Sequence, residues 1–287
     1  MKNAVLLIML LGLGQAYAQD LVPIPYFQRY WPFLFPPKMV PAEPTDPNNI
    51  CIEGEDPLVE IVPTTLETNP KASYCKRSMK IVDTVVLHHS ETPPTSTVEE
   101  LNEFHLNRGT AADPWYMIAY HYVIHTPYKG QKKPEAKIFQ GRPIDLVGAH
   151  AGSDAFDPVD ETRKKFLTEN ATTCGKEGGD FTPNKEMIID GKKTKINNTS
   201  IGVVIVGNYS PFSRSNPNGY SRNSPRYPTT EAIDQTARLV CQLQKKFPDI
   251  TKIRWHNFYK ATSCPGNIKD YVQTIRNKAG SYGCKFN

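Results

Sequence analysis

Residues 200–209, SIGVVIVGNY, form an apolar run with turn-forming residues at its end. A strand with one face in water alternates apolar and polar residues, and this segment does not. Both of its faces must therefore be covered, as in the middle of a sheet that carries helices. The segment is predicted to be a buried central strand.

Predicted strands and helices alternate along the chain from about residue 80. KIVDTVVLH, IAYHYVIH, KIFQGRP and KIRWH are rich in strand-forming residues. Helices are predicted in TSTVEELNEFHLNRG, TTEAIDQTARLVCQLQKKF and NIKDYVQTIRNKAG, the first with a capping box of Ser96 and Glu99. This alternation predicts an α/β domain with helices packed on a sheet.

Residues 1–18 have the pattern of a secretory signal peptide. Lys2 precedes an apolar run from Ala4 to Leu13, and AYA at 16–18 suits a cleavage site. The run is shorter than the roughly 20 residues that a membrane-spanning helix needs. We expect an exported chain, periplasmic or secreted, that begins at about Gln19 and has no integral membrane segment.

The net charge is small. It is +5 for the whole chain and +4 once Lys2 leaves with the signal. This is too weak to argue for a nucleic-acid partner. The small positive charge would favour attraction to an anionic polymer such as cell wall. An ordinary soluble surface explains this charge equally well.

Residues 19–79 are predicted to form an N-terminal extension. Its first part, from Leu21 to Asn49, contains eight prolines mixed with aromatic residues. Proline at this density excludes a helix or a central strand. We expect an extended arm packed on the main domain, with a surface-binding arm as the alternative.

His256 and Cys264 lie eight residues apart after the predicted strand KIRWH. An imidazole and a thiolate, joined by a third ligand from a distant strand, suit zinc with one position left open for water. His88 and His89, at the end of VVLHH, are candidates for that ligand. Spacing alone also permits Cys264 in a disulfide and His256 as a capping residue.

Five motifs in order carry a resemblance to a known family. They are VVLHHS, AYHYVIH, IFQGRPIDLVGAHAG, NNTSIGVVIVGNY and HNFYKATSCPG. Together they resemble the zinc-dependent N-acetylmuramoyl-L-alanine amidases, the superfamily of phage-lysozyme amidases and peptidoglycan recognition proteins, over about Ile81 to Asp270. The resemblance implies a mixed central β-sheet flanked by helices in residues 80–287, and hydrolysis of the amide between N-acetylmuramic acid and L-alanine in peptidoglycan.

The resemblance also implies roles for single residues. His88, His256 and Cys264 would hold one zinc ion per chain, and His89 would be structural. Tyr120 and Thr262 would stabilise the oxyanion. Substrate contacts are expected from three further motif residues: His150, Arg142 and Asn208. For His150 the alternative is that it orients the metal ligands.

Six cysteines in an exported chain predict disulfide bonds. If Cys264 is a metal ligand, it stays outside any disulfide. We predict the pairs Cys51–Cys75 and Cys241–Cys284, near the edges of the domain.

The chain departs from the family pattern in two ways. No carboxylate base is evident in the sequence, and residues 152–198 form an insertion directly after His150. We expect this insertion at the rim of the cleft, where it would affect substrate selectivity. The alternative function is a non-catalytic peptidoglycan-binding module, which in the recognition proteins goes with loss of the cysteine ligand; Cys264 is present.

Overall fold

The computed structural model describes residues 50, 58–126, 136–184, 189–210 and 226–287. The predicted signal peptide, Cys51 and the proline-rich part of the extension lie outside these residues. Within them, no helix is long and apolar enough to cross a bilayer.

Twelve strands and six α-helices are described. The strands are β1 (Ile61–Val62), β2 (Ser73–Lys76), β3 (Thr84–His89), β4 (Tyr122–His125), β5 (Lys137–Gln140), β6 (Phe156–Pro158), β7 (Thr173–Lys176), β8 (Thr182–Pro183), β9 (Ile189–Asp190), β10 (Lys193–Lys195), β11 (Ser200–Ile205) and β12 (Lys252–Trp255). The helices are α1 (Val98–Leu106), α2 (Glu161–Glu169), α3 (Ile196–Thr199), α4 (Thr230–Lys246), α5 (His256–Tyr259) and α6 (Val272–Ser281).

Six of the strands form a mixed central sheet in the order β1-β5-β4-β11-β3-β12. β4 and β5 are antiparallel, while β11 runs parallel to both of its neighbours, β4 and β3. All six residues of β11 are buried, as its unbroken apolar sequence predicts. The predicted α/β architecture, a mixed sheet flanked by helices, is confirmed.

The two faces of this sheet have different partners. One face, which we call the apolar face, includes Val85, Leu87 and Val203 and packs with residues of α4 and α6. The other, which we call the cleft face, carries the alternating residues Val86, His88, Gly202 and Val204. On this face Val204 packs with α1, and Val86 packs with the start of the insertion.

Helix α1 is capped one residue later than predicted. The Thr97 hydroxyl accepts from the Glu100 N–H at 3.2 Å, and the Glu100 carboxylate accepts from the Thr97 N–H at 3.0 Å. The prediction of Ser96 and Glu99 is wrong because TSTVEE contains the capping-box spacing twice.

The described part of the predicted extension, from Leu58 onward, joins the folded domain. β1 pairs with β5 at the edge of the central sheet, and β2 pairs with β7 of the insertion. The folded domain therefore begins before residue 80.

One predicted disulfide is confirmed and the other is wrong. Cys241 and Cys284 are bonded, which ties α4 to the chain after α6. Cys75 pairs with Cys174 and not with Cys51, because β2 and β7 place Cys75 and Cys174 opposite each other in an antiparallel register.

The insertion has its own secondary structure. It contains α2, and β6, β9 and β10 form a separate three-stranded sheet. At the start of the insertion, Lys260 Nζ lies 2.6 Å from the Asp154 carboxylate. This ion pair joins the insertion to the loop between α5 and Cys264.

Candidate metal centre

Strand register brings His88 and His256 together. β3 and β12 are parallel, and Leu87 pairs with Trp255. The next residues, His88 within β3 and His256 directly after β12, therefore lie side by side at the carboxyl-end edge of the sheet. The two imidazole centroids lie 4.7 Å apart.

Cys264 reaches the same edge from the loop after α5. Its Sγ lies 3.5 Å from His88 Nδ1, and it is a buried, free cysteine. One potential ligand atom from each of His88, His256 and Cys264 lies within 4.8 Å of the others. Two imidazoles and a thiolate are a donor set that zinc favours, with a fourth tetrahedral position left for water or substrate.

Hydrogen bonds fix the tautomer of His88. The Ser200 hydroxyl donates to the Ile196 carbonyl, so it accepts from His150 Nε2–H at 3.3 Å. His150 Nδ1 then accepts from His88 Nε2–H at 3.0 Å. This leaves the lone pair of His88 Nδ1 on the side of Cys264, which is the arrangement of a metal-binding histidine held through its second nitrogen.

The main chain orients His256 in the same way. Its Nε2 lies 3.2 Å from the Ala151 carbonyl oxygen, to which it donates. Nδ1 consequently keeps its lone pair for a metal ion. His150 and Ala151, adjacent in the GAHAG motif, thus orient the two candidate histidine ligands. The donor set of His88, His256 and Cys264 fits zinc.

Gly202 makes room for His150 on the cleft face. A Cβ at Gly202 would lie 2.5 Å from His150 Cγ, and a Cβ at Gly148 would lie 2.4 Å from His150 Cδ2. Any larger residue at either position would displace the imidazole that orients His88. Gly202 of SIG and Gly148 of GAH therefore avoid a steric clash with His150.

A further layer of polar residues supports His150. His121 Nδ1 accepts from the Gly202 N–H at 2.9 Å, so its Nε2–H donates to the Leu146 carbonyl at 3.0 Å. Beside it, the buried Arg77 guanidinium donates to the carbonyls of Ile144, Asn197, Asn198 and Ser200. Burial lowers the pKa of Arg77 to about 9.

Burial also sets the protonation of the histidines and the thiol. It lowers the pKa of His88 and of His150 well below the usual value, and neighbouring imidazoles lower both further. The histidines are therefore neutral, as metal ligands must be. Burial raises the pKa of Cys264, so its thiolate needs a cation beside it.

The three candidate ligands lie in a cleft of about 360 Å³. Tyr120, His150 and Thr262, all predicted as site residues, line it too. The Tyr120 ring lies 5.1 Å from the His88 ring, and burial raises the pKa of its hydroxyl. The Thr262 hydroxyl oxygen accepts from the Cys264 N–H at 3.3 Å.

Two residues expected to bind substrate do not line this cleft. The Arg142 guanidinium is buried and donates to the carbonyls of Met117, Ile118 and Val147. The Asn208 side chain is buried, and its Oδ1 accepts from the Ser210 N–H at 3.1 Å. Both side chains support main chain near the site.

His89 points away from the candidate ligands. Its Nδ1 accepts from the Tyr209 N–H at 3.0 Å, and its Nε2 lies 3.4 Å from the Glu91 carboxylate. Glu91 lines the cleft and was not singled out from the sequence. The sequence could have indicated Glu91, because it follows the histidine pair by two residues in HHSE.

Residues 77–267 match the family model described as N-acetylmuramoyl-L-alanine amidase. No curated protein sequence matches the chain.

Several solved structures are weakly similar. The endolysin N-acetylmuramoyl-L-alanine amidase LysCS from Clostridium intestinale is 20% identical, with 79% of this chain and 97% of that chain covered and a TM-score of 0.45. Peptidoglycan recognition protein SD from Drosophila is 18% identical, with 75% and 94% covered and a TM-score of 0.45. The family match, which spans well over half of the chain, makes the assignment: the chain belongs to the N-acetylmuramoyl-L-alanine amidase family.

Proposed function

We propose that the protein is a zinc-dependent amidase that hydrolyses the bond between N-acetylmuramic acid and the L-alanine of the peptidoglycan stem. The observation that carries the proposal is the meeting of His88, His256 and Cys264 within 4.8 Å in the cleft. These residues would hold one zinc ion per chain. When bound, zinc would polarise the scissile carbonyl and activate a water molecule.

The residues around the ligands have separate tasks. Tyr120 stays protonated, since burial raises its pKa, and its O–H is available to donate to the developing oxyanion. The Thr262 oxygen already accepts from the Cys264 N–H, so its hydroxyl proton is free to be donated to the same oxyanion. His150 holds the neutral tautomer of His88 and does not need to contact substrate.

The insertion would form part of the substrate site. Gly152, at its start, lines the cleft together with Lys260, whose ammonium group is paired with Asp154. These contacts support a position of the insertion at the rim of the cleft, where a long stem peptide or a glycan strand would pass. We propose that it contributes to substrate selectivity.

Export fits this function. The two disulfides, Cys75–Cys174 and Cys241–Cys284, are typical of proteins in oxidising compartments. A periplasmic or secreted location would bring the enzyme to peptidoglycan. Nucleic acid is not among the proposed partners.

The non-catalytic alternative is a module that binds wall fragments. Such a module needs the cleft and does not need three converging metal ligands. Cys264 argues against it, because a buried thiol beside two neutral imidazoles has an evident role in metal binding.

Digestion of purified sacculi tests the function. The full chain with zinc should release intact stem peptides with a free L-alanine amine, identified by mass spectrometry. Cys264→Ala should still bind sacculi and release nothing, which controls for binding. Sacculi left unchanged by the zinc-loaded protein would overturn the proposal in favour of the binding module.

Metal removal tests the cofactor. Chelator should abolish release of stem peptides, and one equivalent of zinc per chain should restore it. Full activity after complete removal of metal would overturn the zinc mechanism.

A further inference from the structure

Glu91 is a carboxylate in the cleft that the proposed chemistry does not use. Its φ is 57°, and among the described residues other than glycine it alone has a positive φ. This conformation is uncommon for a residue with a Cβ. Strained backbone persists where the surroundings hold it, often beside a functional site.

The Glu91 carboxylate joins segments that are distant in sequence. Its Oε1 accepts from the Ser263 hydroxyl at 2.6 Å, and the same oxygen lies 3.4 Å from His89 Nε2. His89 Nδ1 accepts from the Tyr209 N–H, so Nε2 carries the proton and donates. The Glu91 N–H itself donates to the Gly207 carbonyl at 3.2 Å.

These contacts connect three loops around the candidate metal centre. Glu91 lies two residues after the end of β3, which carries His88. Gly207 and Tyr209 belong to the loop after β11. Ser263 lies between Thr262 and Cys264, so restraint of its hydroxyl restrains both neighbours.

The bond to Ser263 has the features of a strong hydrogen bond. The His89 contact, and to a smaller extent the Ser263 hydroxyl, lowers the pKa of Glu91 to about 2. The group is therefore ionised at neutral pH, and hydrogen bonds to ionised acceptors are shorter and stronger than neutral ones. Because Glu91 and Ser263 are both exposed, solvent weakens the purely electrostatic part of this contact, and its directed 2.6 Å geometry carries the inference.

We propose that Glu91 is a positioning residue that fixes the loop 262–264 against the end of β3 through Ser263. The bond keeps Cys264 Sγ at the distance from His88 that a shared metal ion requires. It also holds the Thr262 hydroxyl toward the cleft. The inference rests on the proposed metal site, and its test does not depend on peptidoglycan cleavage.

The test is the zinc affinity of the full chain, measured by competition with a chromogenic chelator. Glu91→Ala and Ser263→Ala should each weaken zinc binding by about tenfold, the lower end for residues that support metal ligands. The double variant should be no weaker than either single variant, because both changes remove the same bond. Ser263→Thr keeps the hydroxyl and should bind zinc like the unmodified chain.

The matched control is Glu60→Gln. Glu60 is an exposed residue directly before β1, and removal of its charge should leave the zinc affinity unchanged. Thermal unfolding of the zinc-free variants shows whether each is folded. If Glu91→Ala does not fold, Glu91→Gln replaces it and should bind zinc more weakly than Glu60→Gln.

Two results would overturn the proposal: unchanged zinc affinity in the Glu91 and Ser263 variants, or effects of the two changes that add in full. Failure of the proposed function has a different signature. A chain that binds zinc and leaves sacculi intact would refute the amidase reaction while the affinity comparison still stands.

Discussion

The two faces of the central sheet solve different physical problems. On the apolar face, Leu87 and Val203 pack with helices α4 and α6. Burial of apolar surface stabilises such a face without directional bonds. On the cleft face, His88, His121 and His150 are buried in series, and each is held by hydrogen bonds.

The difference shows how the fold separates stability from chemistry. Buried polar groups are costly unless they are paired, so the cleft face depends on the geometry of its hydrogen bonds. Packing on the apolar face is not directional, while the hydrogen bonds of the cleft face hold one tautomer of His88. Changes on the first should therefore lower stability, and changes on the second should lower function.

Adjacent histidines on opposite faces give the largest expected contrast. His88→Ala should lose both zinc and turnover, because two remaining ligands hold the metal poorly. His89→Ala should keep one zinc per chain and measurable turnover, and should lose stability because the Tyr209 N–H is left without its acceptor. Metal analysis and sacculus digestion of both variants measure this. The reverse result would mean that the strand end is assigned one residue out of register.

A core substitution on the apolar face should have the opposite profile. Leu239 in α4 is fully buried. Leu239→Ala should lower the free energy of unfolding by about 2–5 kcal/mol. Zinc content and activity per folded molecule should not change. Denaturant unfolding measures the loss, with the exposed Glu231→Ala on the same helix as a control expected within about 0.5 kcal/mol. A folded Leu239→Ala variant that has lost zinc would contradict the separation of stability and metal binding between the two faces.

Tyr120 tests the catalytic use of the cleft face. Tyr120→Phe keeps the ring and removes the hydroxyl, so zinc binding and KM should hold while kcat falls about a hundredfold. The lower end of the usual range is expected because Thr262 supplies a second donor. Steady-state kinetics on a soluble muropeptide measure the split. Normal turnover would make Tyr120 a packing residue.

Much of the fold was predictable from local sequence. The unbroken apolar run of β11 and the 3.6-residue periodicity of α4 depend on neighbouring residues only, and the structure has both elements. Strand starts were less predictable: β4 begins at Tyr122, after the predicted IAYH. In that segment the His121 N–H still donates to Gly202 of β11, while the carbonyls of Tyr120 and Ala119 accept from the N–H groups of Arg142 and Ala149 outside the ladder.

The site was predictable from the ordered motifs, and its supporting contacts were not. The meeting of His88 and His256 depends on the β3–β12 register, and the Cys75–Cys174 bond depends on a pairing between β2 and the insertion. The resemblance implies a substrate contact for Arg142, and no local pattern indicates that its guanidinium donates to three main-chain carbonyls. Such pairings join residues far apart in sequence, and no local pattern encodes them.

The smallest expected effect is a loss of folding stability at acid pH that comes from a histidine lining the cleft. His105 of α1 lines the cleft, stacks on Trp115, and has its pKa lowered to about 4 by burial. An unfolded histidine has a pKa near 6.5. Below that pH the unfolded chain binds a proton that the folded chain refuses, so stability is full above about 6.5 and falls as the pH drops toward 4. Each such histidine contributes about 1.4 kcal/mol per pH unit at most.

His105→Phe isolates this contribution, since phenylalanine keeps an aromatic ring and does not titrate. Between pH 6.5 and 5, the free energy of unfolding of the variant should fall less steeply than that of the unmodified chain, by up to about 1.4 kcal/mol per pH unit. The carboxylates with lowered pKa, Glu91 and Asp234 at about 2, lose their contributions below this range and do not interfere. Urea unfolding at pH 6.5, 5.75 and 5.0 gives the two slopes. Equal slopes would show that His105 takes up its proton in the folded chain, and that the cleft face is open to water at α1.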